Sequence, residues 1–403
     1  MEKVRLNLFK LYDKDERMKG SIKIILTNNL KELIKDIIEE IKTRENLKTW
    51  ELSEKLGMSY STLRMSFRRN RISLNFIKRL LEFCPDKKEE IINEINELSS
   101  GTGNTYIRVK APKFLTENLC KIVGAIIADG NLYLGKNKRK WQIKIGDQYR
   151  DNLELFSEWL NQEFGIKLKV KKDKKQQMFY IDFSNKIIFK YLTNIFGIKN
   201  GNKSSVVTIP KIIKESTFNY HVAFAVGLCM FDGGIGFGRC NFSLSTKSKC
   251  LIEEFNKILD RLNINYSYKE KPNSANGLYQ TFVWCKNDLK KILNYLIEPN
   301  TTKWKQLNIL LNGFKTCNYK NLELIDVLYP SPRKTSIGFS NIIKLFEKSG
   351  PLTKKEIQLR LNRSERTVRS LLNSLERMKI LKCTANKPYK VWSINPYLKL
   401  KRR

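Results

Sequence analysis

The sequence predicts an α+β fold: a pseudo-twofold duplicated core, each half αββαββα with antiparallel sheets, flanked by small, mostly helical domains. Three observations carry this expectation. An apolar helix ending in Asp-Gly occurs twice, at residues 119–134 and 222–237, each followed by the same succession of strand and helix patterns. Amphipathic segments with 3.6-residue periodicity lie on both sides of the repeat. The cluster Ser99-Ser-Gly-Thr-Gly-Asn104 has turn-forming residues and no apolar anchor, and so reads as a linker between the first segment and the repeat.

Composition bounds the rest. A chain of 403 residues with 41% hydrophobic and 11% aromatic residues can build two to three domains with cores of their own, which excludes global disorder. No run approaches the roughly 18 apolar residues of a bilayer span. Met1-Glu2-Lys3-Val4-Arg5 leads into no apolar signal core, so a soluble, cytoplasmic protein is expected. The eight cysteines (84, 120, 229, 240, 250, 285, 317, 383) form no CxxC pair and are expected to be reduced thiols. His221 is the single histidine, which excludes zinc fingers, His-metal nucleases, Ser-His-Asp hydrolases and Cys-His proteases. Catalysis would have to rest on carboxylates, lysines, water and hard metal ions. With 76 Lys and Arg against 40 Asp and Glu the net charge is +36, and a polyanion is the natural partner because neutralising phosphates releases counterions. A lysine-rich thermophilic composition would raise Glu in step with Lys, which does not happen here.

Residues 1–98 read as an N-terminal helical domain. Leu30, Leu33, Ile34, Ile37, Ile38 and Ile41 mark one helix face. Trp50 to Asn70 then gives a short helix ending at Gly57, a turn with Ser59 or Ser61 as N-cap, and a second helix with Leu63 and Phe67 inward and Arg64, Arg68 and Arg69 outward. This segment resembles the repressor-type helix-turn-helix. The resemblance makes residues 60–69 the recognition helix, with Ser61, Thr62, Arg64, Ser66 and Arg68 as candidate contacts.

The linker 99–104 is followed by half 1 (105–218), half 2 (219–315) and a second linker (316–335). In the halves, Leu119 to Leu134 and Val222 to Phe237 each carry a mid-helix glycine, Gly124 and Gly227, and end in Asp129-Gly130 and Asp232-Gly233. Alternating strands follow at Trp141–Ile145 and Asn241–Lys247, then helices with Leu153, Phe156 and Leu160 or Leu251, Phe255 and Leu259. A second hairpin around 167–183 or 266–284 and closing helices at Ile187–Phe196 and Leu289–Leu296 complete each half. Glycine inside a helix costs about 1 kcal/mol relative to alanine, so its recurrence predicts two helices packed backbone to backbone. The glycine after each aspartate suits a left-handed cap. Such packing would bring Asp129 and Asp232 together, and neighbouring carboxylates favour a hard divalent ion with oxygen ligands between them.

The two motifs resemble the paired motifs of the monomeric, two-motif LAGLIDADG homing endonucleases, over residues 105–315. Two copies spaced by 103 residues, each with the same sequel, make the resemblance specific. It implies saddle-shaped sheets straddling duplex DNA and one acid per motif, here Asp129 and Asp232, binding Mg2+ (two or more divalent ions). It also implies a lysine from each half near the metals. Gly201-Asn-Lys-Ser-Ser-Val-Val-Thr-Ile-Pro210 gives Lys203, and Thr302-Lys-Trp-Lys-Gln-Leu-Asn308 gives Lys303 in preference to Lys305. Their expected role is to polarise water or offset phosphate charge in the transition state. Two features depart from the family pattern. The strand position that often carries Gln falls near Gly146 or Asp147 and near Ser245, and Met230 and Phe231 stand where the second motif often has acidic and small residues.

The strand faces are expected to read DNA. Candidate contacts are Lys136, Lys138, Arg139, Lys140, Gln142, Lys144, Lys167, Lys169, Lys171 and Lys172 in half 1, with Arg239, Asn241, Ser243, Ser245, Lys247, Tyr268, Lys269 and Lys271 in half 2. Residues 336–403 read as three helices and a hairpin. Thr353 and Glu356 have capping-box spacing, and a helix at 364–375 presents Arg366, Thr367, Arg369 and Ser370 outward. That order resembles a winged helix, with Arg366 and Arg369 as DNA contacts.

Met1 and the absence of a nucleophilic Cys or Ser start and of a terminal His-Asn suggest a freestanding protein rather than an intein. The expected function is site-specific, Mg2+-dependent cleavage of double-stranded DNA by a monomer. Alternatives on the same scaffold are a non-cleaving transcriptional regulator and an RNA maturase or RNA-processing protein binding structured RNA.

Overall fold

The computed structural model describes residues 3–12, 21–101, 106–135, 141–173, 178–201, 204–236, 240–271, 277–312, 339–386 and 389–396. The N-terminal region comprises β1 (Lys23–Ile25), α1 (Asn28–Glu45), α2 (Thr49–Lys55), α3 (Tyr60–Arg68), β2 (Arg71–Ser73), α4 (Leu74–Phe83), α5 (Lys88–Glu94), β3 (Glu97–Ser100) and β4 (Ile107–Lys110). Leu30, Ile34, Ile37, Ile38 and Ile41 are buried along α1, as their spacing requires. To the helices expected over residues 1–98 the structure adds a four-stranded antiparallel sheet of order β2-β1-β3-β4, which was not foreseen. Ser99 and Ser100, expected in a linker, are buried strand residues paired with Arg108 and Ile107. Strands of three or four residues are too short for alternation to register, and paired serines look like turn formers in sequence. The second linker, 316–335, lies outside the described residues.

The centre is built from α6 (Glu117–Ala128), β5 (Gly130–Leu134), β6 (Trp141–Asp147), α7 (Arg150–Phe164), β7 (Lys171–Lys172), β8 (Phe179–Ser184) and α8 (Lys186–Lys190), the last running on into a π turn at Tyr191–Ile195. After the short α9 (Lys211–Lys214) the plan repeats as α10 (Phe218–Asp232), β9 (Gly234–Gly236), β10 (Asn241–Thr246), α11 (Lys249–Arg261), β11 (Ser267–Lys271), β12 (Leu278–Val283) and α12 (Lys286–Tyr295), followed by α13 (Thr302–Asn312). The sheets have the same topology, β5-β6-β8-β7 and β9-β10-β12-β11, antiparallel throughout. Each half is therefore αββαββα.

In both sheets one face is packed by helices and the other is open. Ile143 and Ile145 of β6 and Ile181 of β8 are buried, whereas Lys144 is exposed and Gln142, Gly146, Tyr180 and Asp182 are half-exposed. Phe242 and Leu244 of β10 point into the core in the same way, with Ser243 and Ser245 on the other side.

Helices α6 and α10 form the junction between the halves. Residues Ile122–Ile127 and Ala223–Phe231 are buried without interruption, so neither helix has a solvent face along that stretch. A Cβ on Gly124 would overlap the Phe224 carbonyl oxygen and lie 2.9 Å from Leu228 N. A Cβ on Gly227 would overlap the Lys121 carbonyl oxygen and lie 2.8 Å from its carbon. The backbones touch where the repeated glycines predict.

The C-terminal region consists of α14 (Phe339–Ser349), β13 (Leu352–Thr353), α15 (Lys354–Leu361), α16 (Glu365–Arg377), β14 (Leu381–Asn386) and β15 (Tyr389–Ile394). Its sheet has the order β13-β15-β14. Thr353 and Glu356 form the expected capping box, and Val368, Leu372 and Leu375 of α16 are buried. No helix among the described residues is long and apolar enough to cross a membrane.

Candidate active site and nucleic-acid interface

Each motif helix delivers its aspartate at its C-terminal end. Asp129 follows the last turn of α6 and is exposed; Asp232 closes α10 and is half-buried. The following glycines are not left-handed, contrary to expectation: Gly233 has φ −67°, and Gly130 enters β5 directly. Crowding is what requires them. A Cβ on Gly130 would sit 2.7 Å from Ile126 Cα, and one on Gly233 would overlap the Cys229 carbonyl oxygen and stand 2.8 Å from the Phe242 ring. The chain leaves each helix so tightly against the preceding turn that only hydrogen fits.

Lys303, second residue of α13, reaches this end of α10. Its ammonium is buried and donates to the carbonyl oxygens of Cys229 (3.0 Å) and Phe231 (3.2 Å). Those carbonyls belong to the negative end of the helix, where a cation is favoured. Burial pushes the Lys303 pKa down, while Asp147, the Cys229 thiol, Asp129 and Asp232 act in the opposite sense. One ammonium thus lies within electrostatic reach of both motif carboxylates. Its hydrogen bonds run to the protein carbonyls of Cys229 and Phe231. Lys203 lies outside the described residues. Its place in the chain matches that of Lys303, each standing 18 residues after the N-cap of its closing helix, Asn185 and Cys285.

Asp147 is the main residue the sequence left unassigned. The last residue of β6, it is buried, accepts from Tyr149 N (2.8 Å) and from Asn152 Nδ2 (2.8 Å), and its carboxyl is pushed up by burial against the pull of Lys303. It points to the helix side of the sheet, which leaves Gly146 at the open-face position where the family pattern favours a polar side chain. Ser245 occupies the equivalent place in half 2, where it accepts from Gln280 Nε2 at 2.9 Å.

The open faces carry several of the residues expected to contact DNA. Lys144 and Lys171 are exposed on the face of β6 and β7 where Tyr180 lies, and the Lys144 ammonium stands 5.2 Å from the Tyr180 ring centre. Gln142 donates to both oxygens of Asp182 across the strands, at 2.6 and 2.8 Å. In half 2, Ser243, Ser245 and Lys269 share a face, with Lys269 over Phe282 and Phe282 stacked on Trp284. Lys169 and Lys247 are exposed at strand ends, and Lys167 and Lys172 are exposed too. Asn241 departs from expectation: it is buried, its amide oxygen lying where a side chain on Gly236 would be. Tyr268 pairs with Thr281, whose side chain is buried against Asn256, and so sits on the opposite face from Lys269. Lys136, Lys138, Arg139, Lys140 and Arg239 lie outside the described residues. Asp182, Tyr180, Gln280 and Trp284 were missed, although alternation along β8 and β12 could have found them.

In the flanking regions the arginines stand where periodicity puts them. Arg64, Arg68 and Arg69 are exposed on or just past α3, which begins at the Ser59 N-cap, while Leu63 is buried. Gly57, with φ +72°, turns the chain between α2 and α3. Arg366 and Arg369 are exposed on α16, with Arg369 bonded to Glu365 at 2.6 Å. A separate cavity of about 720 Å3, with Arg5, Lys10, Lys199, Lys211 and Lys214 in its wall, contains neither motif carboxylate.

Residues 222–296 match the family described as LAGLIDADG-like domain, a match that falls on the second half. A curated relative, glutamine--fructose-6-phosphate aminotransferase (isomerizing) from Methanocaldococcus jannaschii, is 22% identical over 223 residues, 54% of this chain. The match spans only 19% of that relative's length. Among solved structures, a set of mesophilic variants of the homing endonuclease I-DmoI is 19% identical, covering 45% of this chain and 95% of that one with a TM-score of 0.35. The N-terminal LAGLIDADG domain of DUF199/WhiA is 14% identical, covering 45% and 82% with a TM-score of 0.31. The homing endonuclease I-WcaI bound to its DNA recognition sequence is 13% identical, covering 47% and 86% with a TM-score of 0.33.

Proposed function

We propose that this chain is a site-specific endonuclease of homing type that hydrolyses double-stranded DNA with divalent metal ions, and that it acts as a monomer. The observation that carries the proposal is the junction of the halves. Two helices in backbone contact each end in a carboxylate, and those two carboxylates act on one buried ammonium. Open sheet faces bearing Lys144, Lys171 and Lys269 beside Gln142, Ser243 and Ser245 suit a duplex, lysines meeting phosphates and amides or hydroxyls meeting base edges.

Asp129 and Asp232 would hold the metal. Among the described residues no group of three or more His, Cys, Asp or Glu converges into a ready-made cage. Two carboxylates, with phosphate oxygens and water completing the shell, fit Mg2+, which keeps much of its water and takes few protein ligands. When bound, such an ion polarises the phosphoryl group and lowers the pKa of water. The protein's own part is to fix the two acids, neutralise the approaching backbone and exclude alternative registers of the duplex. Lys303 supports this by holding the end of α10, and Lys203 is proposed as its counterpart in half 1. The N-terminal helix pair (Arg64, Arg68) and the C-terminal winged-helix-like region (Arg366, Arg369) would lengthen the DNA footprint.

A non-cleaving DNA-binding regulator is the second reading, and the observation in its favour is that the Lys303 ammonium is bonded to carbonyls rather than presented to substrate. The deciding experiment incubates DNA and RNA libraries with Mg2+ and the wild-type, Asp129→Asn and Asp232→Asn proteins. Cleavage of DNA that both substitutions abolish supports the endonuclease. Tight binding without cleavage supports the regulator, and cleavage or selective binding of RNA alone would replace DNA as the substrate.

A further inference from the structure

The two halves share a topology, but the turns that lead into α7 and α11 differ in side-chain chemistry. In half 1 the turn from β6 into α7 reads Asp147-Gln-Tyr149-Arg-Asp151-Asn152; the equivalent turn from β10 into α11 reads Thr246-Lys-Ser248-Lys-Cys250-Leu251. Equivalence is fixed by the bond each turn makes, Tyr149 N to Asp147 and Ser248 N to Thr246. In half 1 the side chains of Asp147, Tyr149, Asp151 and Asn152 each engage half 2 or support one that does. Asn152, fully buried, donates through the same Nδ2 to Asp147 and, at 2.8 Å, to the Met230 carbonyl of α10. Asp151 accepts from Thr302 N, at the first residue of α13. The Tyr149 hydroxyl accepts from Gln306 Nε2 at 2.8 Å. Lys303, carried on the helix so anchored, bonds the neighbouring carbonyls of α10, Cys229 and Phe231. Cys229, Met230 and Phe231 are the residues immediately before Asp232.

The other side is held differently. There Glu254 of α11 accepts from Thr208 Oγ1 and Ile209 N, and the Ser248 hydroxyl donates to the Val207 carbonyl. Those bonds fasten the segment entering α9. Leu251, which stands where Asn152 stands, has no polar side-chain group.

We propose that Asn152, Asp151, Tyr149 and Lys303 form a latch through which half 1 positions Asp232, so that the second motif acid is held by the opposite half. These are positioning residues. What Asp232 does once positioned rests on the endonuclease reading; where it is held does not, and the test separates the two. Hydrogen–deuterium exchange of the full chain compares amides at 229–234 with those at 126–131. Asn152→Leu, which installs the residue found in half 2, and Asp151→Ala, which frees the start of α13, are each expected to speed exchange at 229–234 by about fivefold, the equivalent of one lost hydrogen bond. Exchange at 126–131 should stay within about twofold of wild type. Glu254→Gln should loosen 204–215 and leave 229–234 unchanged. An equal rise at both helix ends, or no rise at 229–234 in a variant that still melts cooperatively, overturns the latch. Neither result depends on whether the protein cuts DNA.

Discussion

At the scale of single residues, the glycines in the motif helices give the sharpest test. Alanine at position 124 or 227 would gain about 1 kcal/mol of helix propensity in an isolated helix. In this protein its Cβ would overlap a carbonyl of the facing helix, so Gly124→Ala and Gly227→Ala should each destabilise by about 1–3 kcal/mol in denaturant titrations. A stabilising substitution would contradict the close approach. These two positions were legible because a costly mid-helix glycine at the same place in both copies signals a backbone that something must approach closely. Gly130 and Gly233 were found for the wrong reason, since Asp-Gly at a helix end suggests a left-handed cap, whereas the bar is steric and depends on neighbours that the sequence does not display. A second residue-scale prediction concerns Lys190, buried beside Trp141, whose pKa burial pushes down to about 8. Between that value and the ordinary 10.5 the unfolded chain holds more protons than the native one, so wild-type stability should rise with pH across the window. Lys190→Met lacks that dependence. Its advantage over wild type in urea midpoint should be largest near pH 7 and shrink towards pH 10; a constant difference would refute the assignment.

Among the elements, the long periodic helices were readable and the short strands were not. Helices α1, α3 and α16 carry their apolar residues at the spacing that burial demands; Thr353 is the N-cap its spacing announced, and of the two candidates Ser59 and Ser61 it is Ser59 that caps α3. The sheet β2-β1-β3-β4 escaped because three- and four-residue strands drawn from positions 23 to 110 show no pattern until they pair. Two elements make separable claims on DNA. In α16, Arg369 is already bonded to Glu365, and Arg366 is exposed on the same helix. Arg366→Ala should therefore lower affinity more than Arg369→Ala, and titrations at two salt concentrations will show whether the order is reversed. In α3, the pair Arg64→Ala and Arg68→Ala should flatten the dependence of log K on log salt by about two if each arginine meets a phosphate.

Over the whole molecule, the duplication was legible and the latch between its halves was not. Two copies of a motif with the same sequel determine the topology, but the latch joins residues 147–152 to residues 302–306, and no local pattern links segments so far apart. Both acids were singled out from the repeat alone; the polar residues packed behind one of them needed the fold. In the proposed reading the large positive charge, spread over open sheet faces and two arginine-bearing helices, would account for binding, and the two carboxylates for cutting. The most direct test is a cleavage assay on duplex carrying the protein's selected binding site, with Mg2+, for wild type, Asp129→Asn and Asp232→Asn, with affinity measured alongside. The account predicts double-strand cleavage by wild type, loss of at least about a hundredfold in rate for each variant, and retained binding by both. Cleavage that survives either substitution, or a wild-type protein that binds tightly and cuts neither strand, would contradict it.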